Sequence, residues 1–185
     1  DARLARIQTL ITQGKPAQAL AEARRALQSA PTHPDLNNAA AMILMSQGLL
    51  DQSLFYARRA LESLPNDPTL LTNLGMTLVA LRKHDEALGA FTRALASDPA
   101  FAEAHLGLSH IHRARGHMTS AADSLRTSLS LRPDDQATAD LFVRTLIAIA
   151  AIPEVVDFAR AWLSRHHDPA MTNILAHALN YDTRA

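Results

Sequence analysis

Residues 68-PTLLTNLGMTLVALRKHDEALGAFTRALASDPAF-101 decide the fold. Two helical stretches are expected here, at 68–81 and 84–97, with Pro99 unable to continue the second. Gly75 on the first and Ala87 on the second are small where two helices of a hairpin cross, so the axes can close in. Phe91 and Leu95 are placed to fill the space between this hairpin and the next. Outside this stretch the same elements return at a fixed step. Prolines 31, 65, 99 and 133 stand 34 residues apart, as do Leu27, Leu61, Leu95, Leu129 and Leu163, and Ala26, Ala60 and Ala94. Gly14, Gly48 and Gly116 lie on the same grid, with Arg82 in the missing slot.

A self-similar period of 34 residues is the signature of stacked helical hairpins. In the quoted unit Leu74, Gly75, Ala87, Phe91, Ala94 and Pro99 occupy positions 7, 8, 20, 24, 27 and 32, and the pattern resembles the tetratricopeptide repeat family. That resemblance implies an all-α solenoid, a right-handed superhelix of about five helix-turn-helix units. The 185 residues hold five such units and a remainder, read as one array with repeats at about 1–33, 34–67, 68–101, 102–135 and 136–168. By register the first helices fall near 2–13, 35–47, 68–81, 102–115 and 136–149. The second helices fall near 16–29, 50–63, 84–97, 118–131 and 152–165. Apolar stripes such as Leu54, Ala57, Leu61 and Leu64 fit helical spacing. Asp35 and Asp67 are expected to cap free amides at helix starts. The first unit has Arg6 and Ile7 at the position 7 and 8 pair. The fifth departs further, with Phe142, Val143, Ala150, Trp162 and His167 at signature slots, as terminal units of such arrays commonly do. Residues 169–180 form one more helix, whose Ile174, Leu175 and Leu179 are expected to dock on the fifth unit.

Composition narrows the function. Lys+Arg and Asp+Glu are both 18, and a neutral chain lacks the basic face that nucleic-acid phosphates require. No apolar run approaches the roughly 20 residues of a membrane span, and no targeting signal is visible. The absence of cysteine removes disulfide and thiolate chemistry and suits a reducing, cytoplasmic setting. Aromatics are 4%, while Ala and Leu, both strong helix formers, dominate.

No convergent set of reactive groups points to catalysis: there is no cysteine nucleophile, no glycine-rich phosphate loop and no serine–histidine–aspartate motif. No cofactor is expected. Among the nine histidines, His105, His110, His112 and His117 are spaced 5, 2 and 5. No pair stands at i, i+4, and the one pair sharing a face, His105 and His112, is a poor metal site. His166 and His167 are placed in the exit of the last hairpin, and Trp162 is read as filler at the end of the array.

The family resemblance implies a concave wall built from the first helix of each unit. Mapped onto this sequence, it takes Asn38, Met42, Met45 and Ser46 from the second unit, and Thr72, Asn73, Met76 and Val79 from the third. The fourth supplies Glu103, Leu106, His110 and Arg113, and the fifth Asp140, Arg144 and Ile147. Methionine is adaptable and suits extended or varied peptides; equally, an inward methionine can pack against its neighbouring helix. Asn73 stands where the tetratricopeptide domains of O-linked N-acetylglucosamine transferases carry a backbone-holding asparagine, since a side-chain amide both donates and accepts. At the other slots of that ladder stand Ala5, Ala39, Gly107 and Leu141.

Residues 173-NILAHALNYDTRA-185 resemble the junction between the last repeat and the catalytic half of bacterial proteins similar to O-linked N-acetylglucosamine transferase, through Leu179, Asn180, Tyr181 and Asp182. The resemblance implies a region that recognises protein substrates for a larger glycosyltransferase, itself without transferase activity. A free-standing adaptor organising a multiprotein complex is the alternative. In both, the expected partner is a protein or an extended peptide in the groove.

Overall fold

The computed structural model describes residues 2–182, and among them every regular element is an α-helix. In chain order these are α1 (Ala2–Thr12), α2 (Pro16–Ser29), α3 (Pro34–Ser46), α4 (Leu50–Ser63), α5 (Pro68–Ala80), α6 (His84–Ser97), α7 (Ala102–Ala114), α8 (Met118–Leu131), α9 (Gln136–Ala148), α10 (Ile152–Leu163) and α11 (Pro169–Leu179). Each lies within two residues of the range expected from the period. The chain separates into two compact units, Asp1–Gly107 and Leu108–Ala185. In the first, α1 packs on α2, α3 on α4 and α5 on α6, with α2 on α3 and α4 on α5 joining successive hairpins. In the second, α8 packs on α9, α9 on α10 and α10 on α11.

Each hairpin turns through one backbone motif. Gly14, Gly48 and Gly116 have φ of 69°, 74° and 78°, and the two other slots of the same grid, Arg82 and Ala150, have φ of 61° and 55°. In all five, the left-handed residue's N–H reaches back three residues and the next N–H reaches back five, as from Arg82 to Val79 and from Lys83 to Leu78 at 2.9 Å each. This is the Schellman C-cap, which satisfies the last carbonyls of the first helix. Glycine enters the left-handed region without strain, whereas a side chain there costs about 1–2 kcal/mol. Arg82 is exposed, and nothing is gained by a side chain at that φ. Arg82→Gly should therefore raise stability by about 0.5–1 kcal/mol, after the extra freedom of glycine in the unfolded chain is subtracted. A urea melt showing no gain would mean that the left-handed turn carries no strain.

The joints ahead of α3, α5, α7 and α9 are closed in two ways that alternate. Before α3, the buried Asn37 side chain donates to the Pro31 and His33 carbonyls, both at 2.9 Å. Sixty-eight residues on, His105 Nε2 donates to the Pro99 carbonyl at 3.0 Å. Before α5 and α9 the same slots hold apolar Leu71 and Ala139, and an aspartate N-cap takes over. Asp67 accepts from the Leu70 amide at 2.9 Å and Asp135 from the Thr138 amide at 3.1 Å. Asp35, expected to cap α3, does not. The helix begins one residue earlier, at Pro34, so His33 is the cap residue and makes no side-chain capping bond.

Small residues set how closely the helices approach: Ala19, Ala23, Ala40, Ala87, Ala94 and Ala104 are essentially inaccessible. Phe91 is fully buried, and it lies over two glycines. A Cβ on Gly75 would stand 2.6 Å from its ring and one on Gly107 2.3 Å. Leu95, expected beside it, is half-buried. On the second helices a guanidinium reaches an acceptor 28 residues ahead: Arg24 to Gln52 at 2.8 Å, Arg58 to Glu86 at 3.0 Å and Arg126 to Glu154 at 2.7 Å. These contacts are exposed and each stabilises by less than about 1 kcal/mol; their regular step records the stacking register.

Candidate functional site

In the first unit the expected wall residues on α3 and α5 are brought together by an amide pair. Asn73 Nδ2 donates to Asn38 Oδ1 at 2.9 Å and lies 3.7 Å from the Met42 sulfur. Both asparagines are half-buried. Among the described residues the Asn38 NH₂ and the Asn73 side-chain oxygen have no other partner, so the pair presents one donor and one acceptor. One peptide unit of an extended chain needs that complement.

The methionines divide between the two roles open to them. Met42 is 45% exposed, whereas Met45 is half-buried and receives the Thr77 hydroxyl at 3.7 Å from its sulfur. Met76 is half-buried. Thr72 leaves the wall: it is only 4% exposed. Helix α5 packs against α3, α4 and α6, and seven of its thirteen residues are buried, so this position turns into the core. Next to the amide pair, α1 and α3 enclose a hollow of about 600 Å3, whose lining includes Leu4, Ile11, Asn38, Met42 and Asp35.

The second unit places its wall residues differently. His110 and Arg113 are half-buried on the last turns of α7. Burial first, and then the Arg113 charge, push the His110 imidazole below its ordinary value, which favours the neutral ring at pH 7. Arg144 is exposed and lines a hollow of about 260 Å3 with Ala137, Asp140 and Leu141. Ile147 is 47% exposed and borders a hollow of about 400 Å3 with Ile152, Ile174 and Tyr181. The residues expected to seat α11 lie beside its most buried ones. Met171 and Ala178 are its buried residues, and Ile174, Leu175 and Leu179 are half-buried beside them on the helix that packs against α10. Thr183, Arg184 and Ala185, the last part of the junction-like segment, lie outside the described residues.

Trp162 is 1% exposed. Its indole stacks on the His166 ring at 4.1 Å and 22°, and its N–H donates to Asp168 Oδ2 at 3.1 Å. Gln136 donates to the same oxygen at 2.8 Å, and the Met171 amide to Oδ1 at 2.9 Å. The Gln136 hydrogen bond, followed by that of the Met171 amide, holds the Asp168 carboxyl below its ordinary value. Asp168 thus caps α11 and seats the tryptophan at once. An aspartate directly before Pro169 was the sequence signal for that cap; its tie to Trp162, six residues back, had none. Among the described residues no three His, Asp or Glu side chains converge in a way that could hold a metal ion. None of the described helices is long and apolar enough to cross a membrane.

Comparison with known proteins agrees with the hairpin geometry. Two family profiles, both described as tetratricopeptide repeat, match residues 10–74 and 72–136, which together span more than half of the sequence. The chain belongs to the tetratricopeptide repeat family. No curated protein matches it in sequence. Among solved structures, PilW, described as a widely conserved type IV pilus biogenesis factor, shares 21% identity over 98% of this chain and 86% of its own, with a TM-score of 0.82. PilF of Pseudomonas aeruginosa shares 17% identity over 100% and 90%, with a TM-score of 0.80. A thermophilic tetratricopeptide protein of Thermus thermophilus shares 20% over 96% and 97%, with a TM-score of 0.78. At these identities the likeness is one of fold.

Proposed function

We propose that the chain is a peptide-binding adaptor whose first unit holds an extended segment of a partner protein along α3 and α5. The observation that carries this reading is the Asn38–Asn73 pair, which leaves one donor and one acceptor unused beside an exposed thioether. Such a pair satisfies peptide backbone without reading side chains, so the adjoining hollow is left to supply selectivity. The cationic Arg113 and Arg144, with neutral His110, give the second unit a wall of different chemistry. The fold shared with PilW and PilF is compatible with an adaptor that works by assembling other proteins. The other setting, substrate recognition within a larger glycosyltransferase, is supported by the resemblance of residues 173–185 alone, and the adaptor is the reading preferred here.

The test uses peptides selected on the purified protein from a library of random twelve-residue sequences displayed on phage. Asn73→Ala should weaken a selected peptide by about 1–3 kcal/mol, the cost of leaving backbone groups of the complex unpaired. Calorimetric titration reads the loss. Selected peptides that bind this variant unchanged, and that shift only resonances on α2, α4 and α6, would reject the site.

A further inference from the structure

The lining of the hollow between α1 and α3 carries information about the ligand that the amide pair does not. Its surface is mainly aliphatic, with Ile11 and Met42 left 38% and 45% exposed, more than a wall serving only as packing would leave open. The one ionisable side chain lining it is Asp35, an exposed residue for which no ion pair occurs among the described residues. Asp35, Asn38 and Met42 stand at i, i+3 and i+7 on α3 and therefore share one face. Helical rise separates Asp35 from Asn38 by roughly 4.5 Å and from Met42 by roughly 10 Å. An extended ligand advances about 3.3 Å per residue, so neighbouring ligand residues meet these three groups in turn.

Resting on the peptide-binding reading above, we infer that the hollow selects a partner segment in which a large aliphatic or aromatic side chain lies within about three residues of a lysine or arginine. The apolar side chain fills the space over Leu4, Ile11 and Met42. Its backbone meets the Asn38–Asn73 pair, and the cation meets Asp35. An acidic residue in place of the cation brings like charges together at the edge of an apolar surface, where water screens them less than in bulk.

The same selection tests this, run in parallel on the wild type, Asp35→Lys and Met42→Glu. Both replaced residues are exposed, so the folds should survive, and thermal melts followed by circular dichroism check this. Should Met42→Glu fail to fold, Ile11→Glu closes the same hollow. The wild type should enrich sequences joining Leu, Ile, Met or Phe to a nearby Lys or Arg. Asp35→Lys should enrich Asp or Glu at the same spacing, and Met42→Glu should lose the apolar preference. A synthetic winner with its cation changed to Glu should bind the wild type roughly tenfold more weakly by fluorescence anisotropy, and the order should reverse on Asp35→Lys. Peptides that depend on Asn73 but show no charge preference, or keep it on Asp35→Lys, would overturn the inference and leave the adaptor standing. Selected peptides indifferent to Asn73, Met42 and Asp35, or no selected peptides at all, would overturn both. A dimer in sedimentation equilibrium that Met42→Glu dissociates would assign the hollow to a second copy of the chain and likewise overturn the inference.

Discussion

Replacing Phe91 with Ala should cost about 3–5 kcal/mol, a large effect for one side chain in this protein. The ring is fully buried, and it occupies space that exists because Gly75 and Gly107 carry no Cβ. Removing it leaves two glycine surfaces facing a void, with no neighbouring side chain on either glycine to lean in. A site that cannot collapse keeps its cavity, which places the loss toward the upper end of the range. The complementary change makes the case specific. Gly107→Ala drives a methyl to within 2.3 Å of the ring and should cost about 1–3 kcal/mol through overpacking. Combining it with Phe91→Leu should recover part of the loss, because the two changes share one space and cannot be additive. Urea denaturation followed by far-ultraviolet circular dichroism measures all four proteins. Solenoid stability is close to a sum of nearest-neighbour terms, so a lowered m-value would show a hairpin melting apart from the rest. A loss below about 1 kcal/mol for Phe91→Ala would contradict the packing described here.

A second large effect is expected at the other end of the chain, where Trp162→Ala should also cost about 3–5 kcal/mol. The indole is buried between the His166 ring and Phe158 and donates to Asp168. Trp162→Phe separates the contributions. It keeps most of the apolar contact but leaves the Asp168 oxygen one donor short, for a cost of about 1–2 kcal/mol. The carboxylate adds a pH dependence of definite sign. Its pKa is lower in the folded protein than in the unfolded chain, so its contribution is present at neutral pH and disappears as pH falls through the ordinary carboxylate range and below. The stability gap between wild type and Asp168→Asn should therefore narrow on acidification. A gap constant from neutral pH to pH ~3 would mean that the carboxylate charge plays no part in holding α11.

The helices were legible because helix breakers fall on one grid and each turn has one way to form. The period even marked Arg82, which takes the left-handed turn although it is not glycine. Capping was read correctly at Asp67 and wrongly at Asp35, where Pro34, a residue suited to the first helical position, was the overlooked signal. Of the wall residues, Asn38 and Asn73 were each identified from their slots, but the bond joining them depends on how two helices are offset, which no single repeat contains. Thr72 was misplaced for a related reason: the same slot is half-buried at Asn38 and covered at Thr72, because burial depends on which hairpins flank a unit. Gly107 offered only a gap in an asparagine ladder. Its contact with a ring sixteen residues earlier is a tertiary fact.

The alternation of joints has a consequence for how such a protein can be rebuilt. From α3 to α9 a single 34-residue unit is not a spare part, since successive starts differ there, and only α11 repeats the start before it. One start relies on a side chain that ties down a proline carbonyl (Asn37 or His105), the other on an aspartate over bare amides (Asp67 or Asp135). Within that span, deleting or inserting one hairpin sets two joints of the same kind side by side. Moving two hairpins together within that span returns each of its joints to its own chemistry, so 68 residues is the length at which the stretch from α3 to α9 can be shortened, extended or recombined without redesigning a seam.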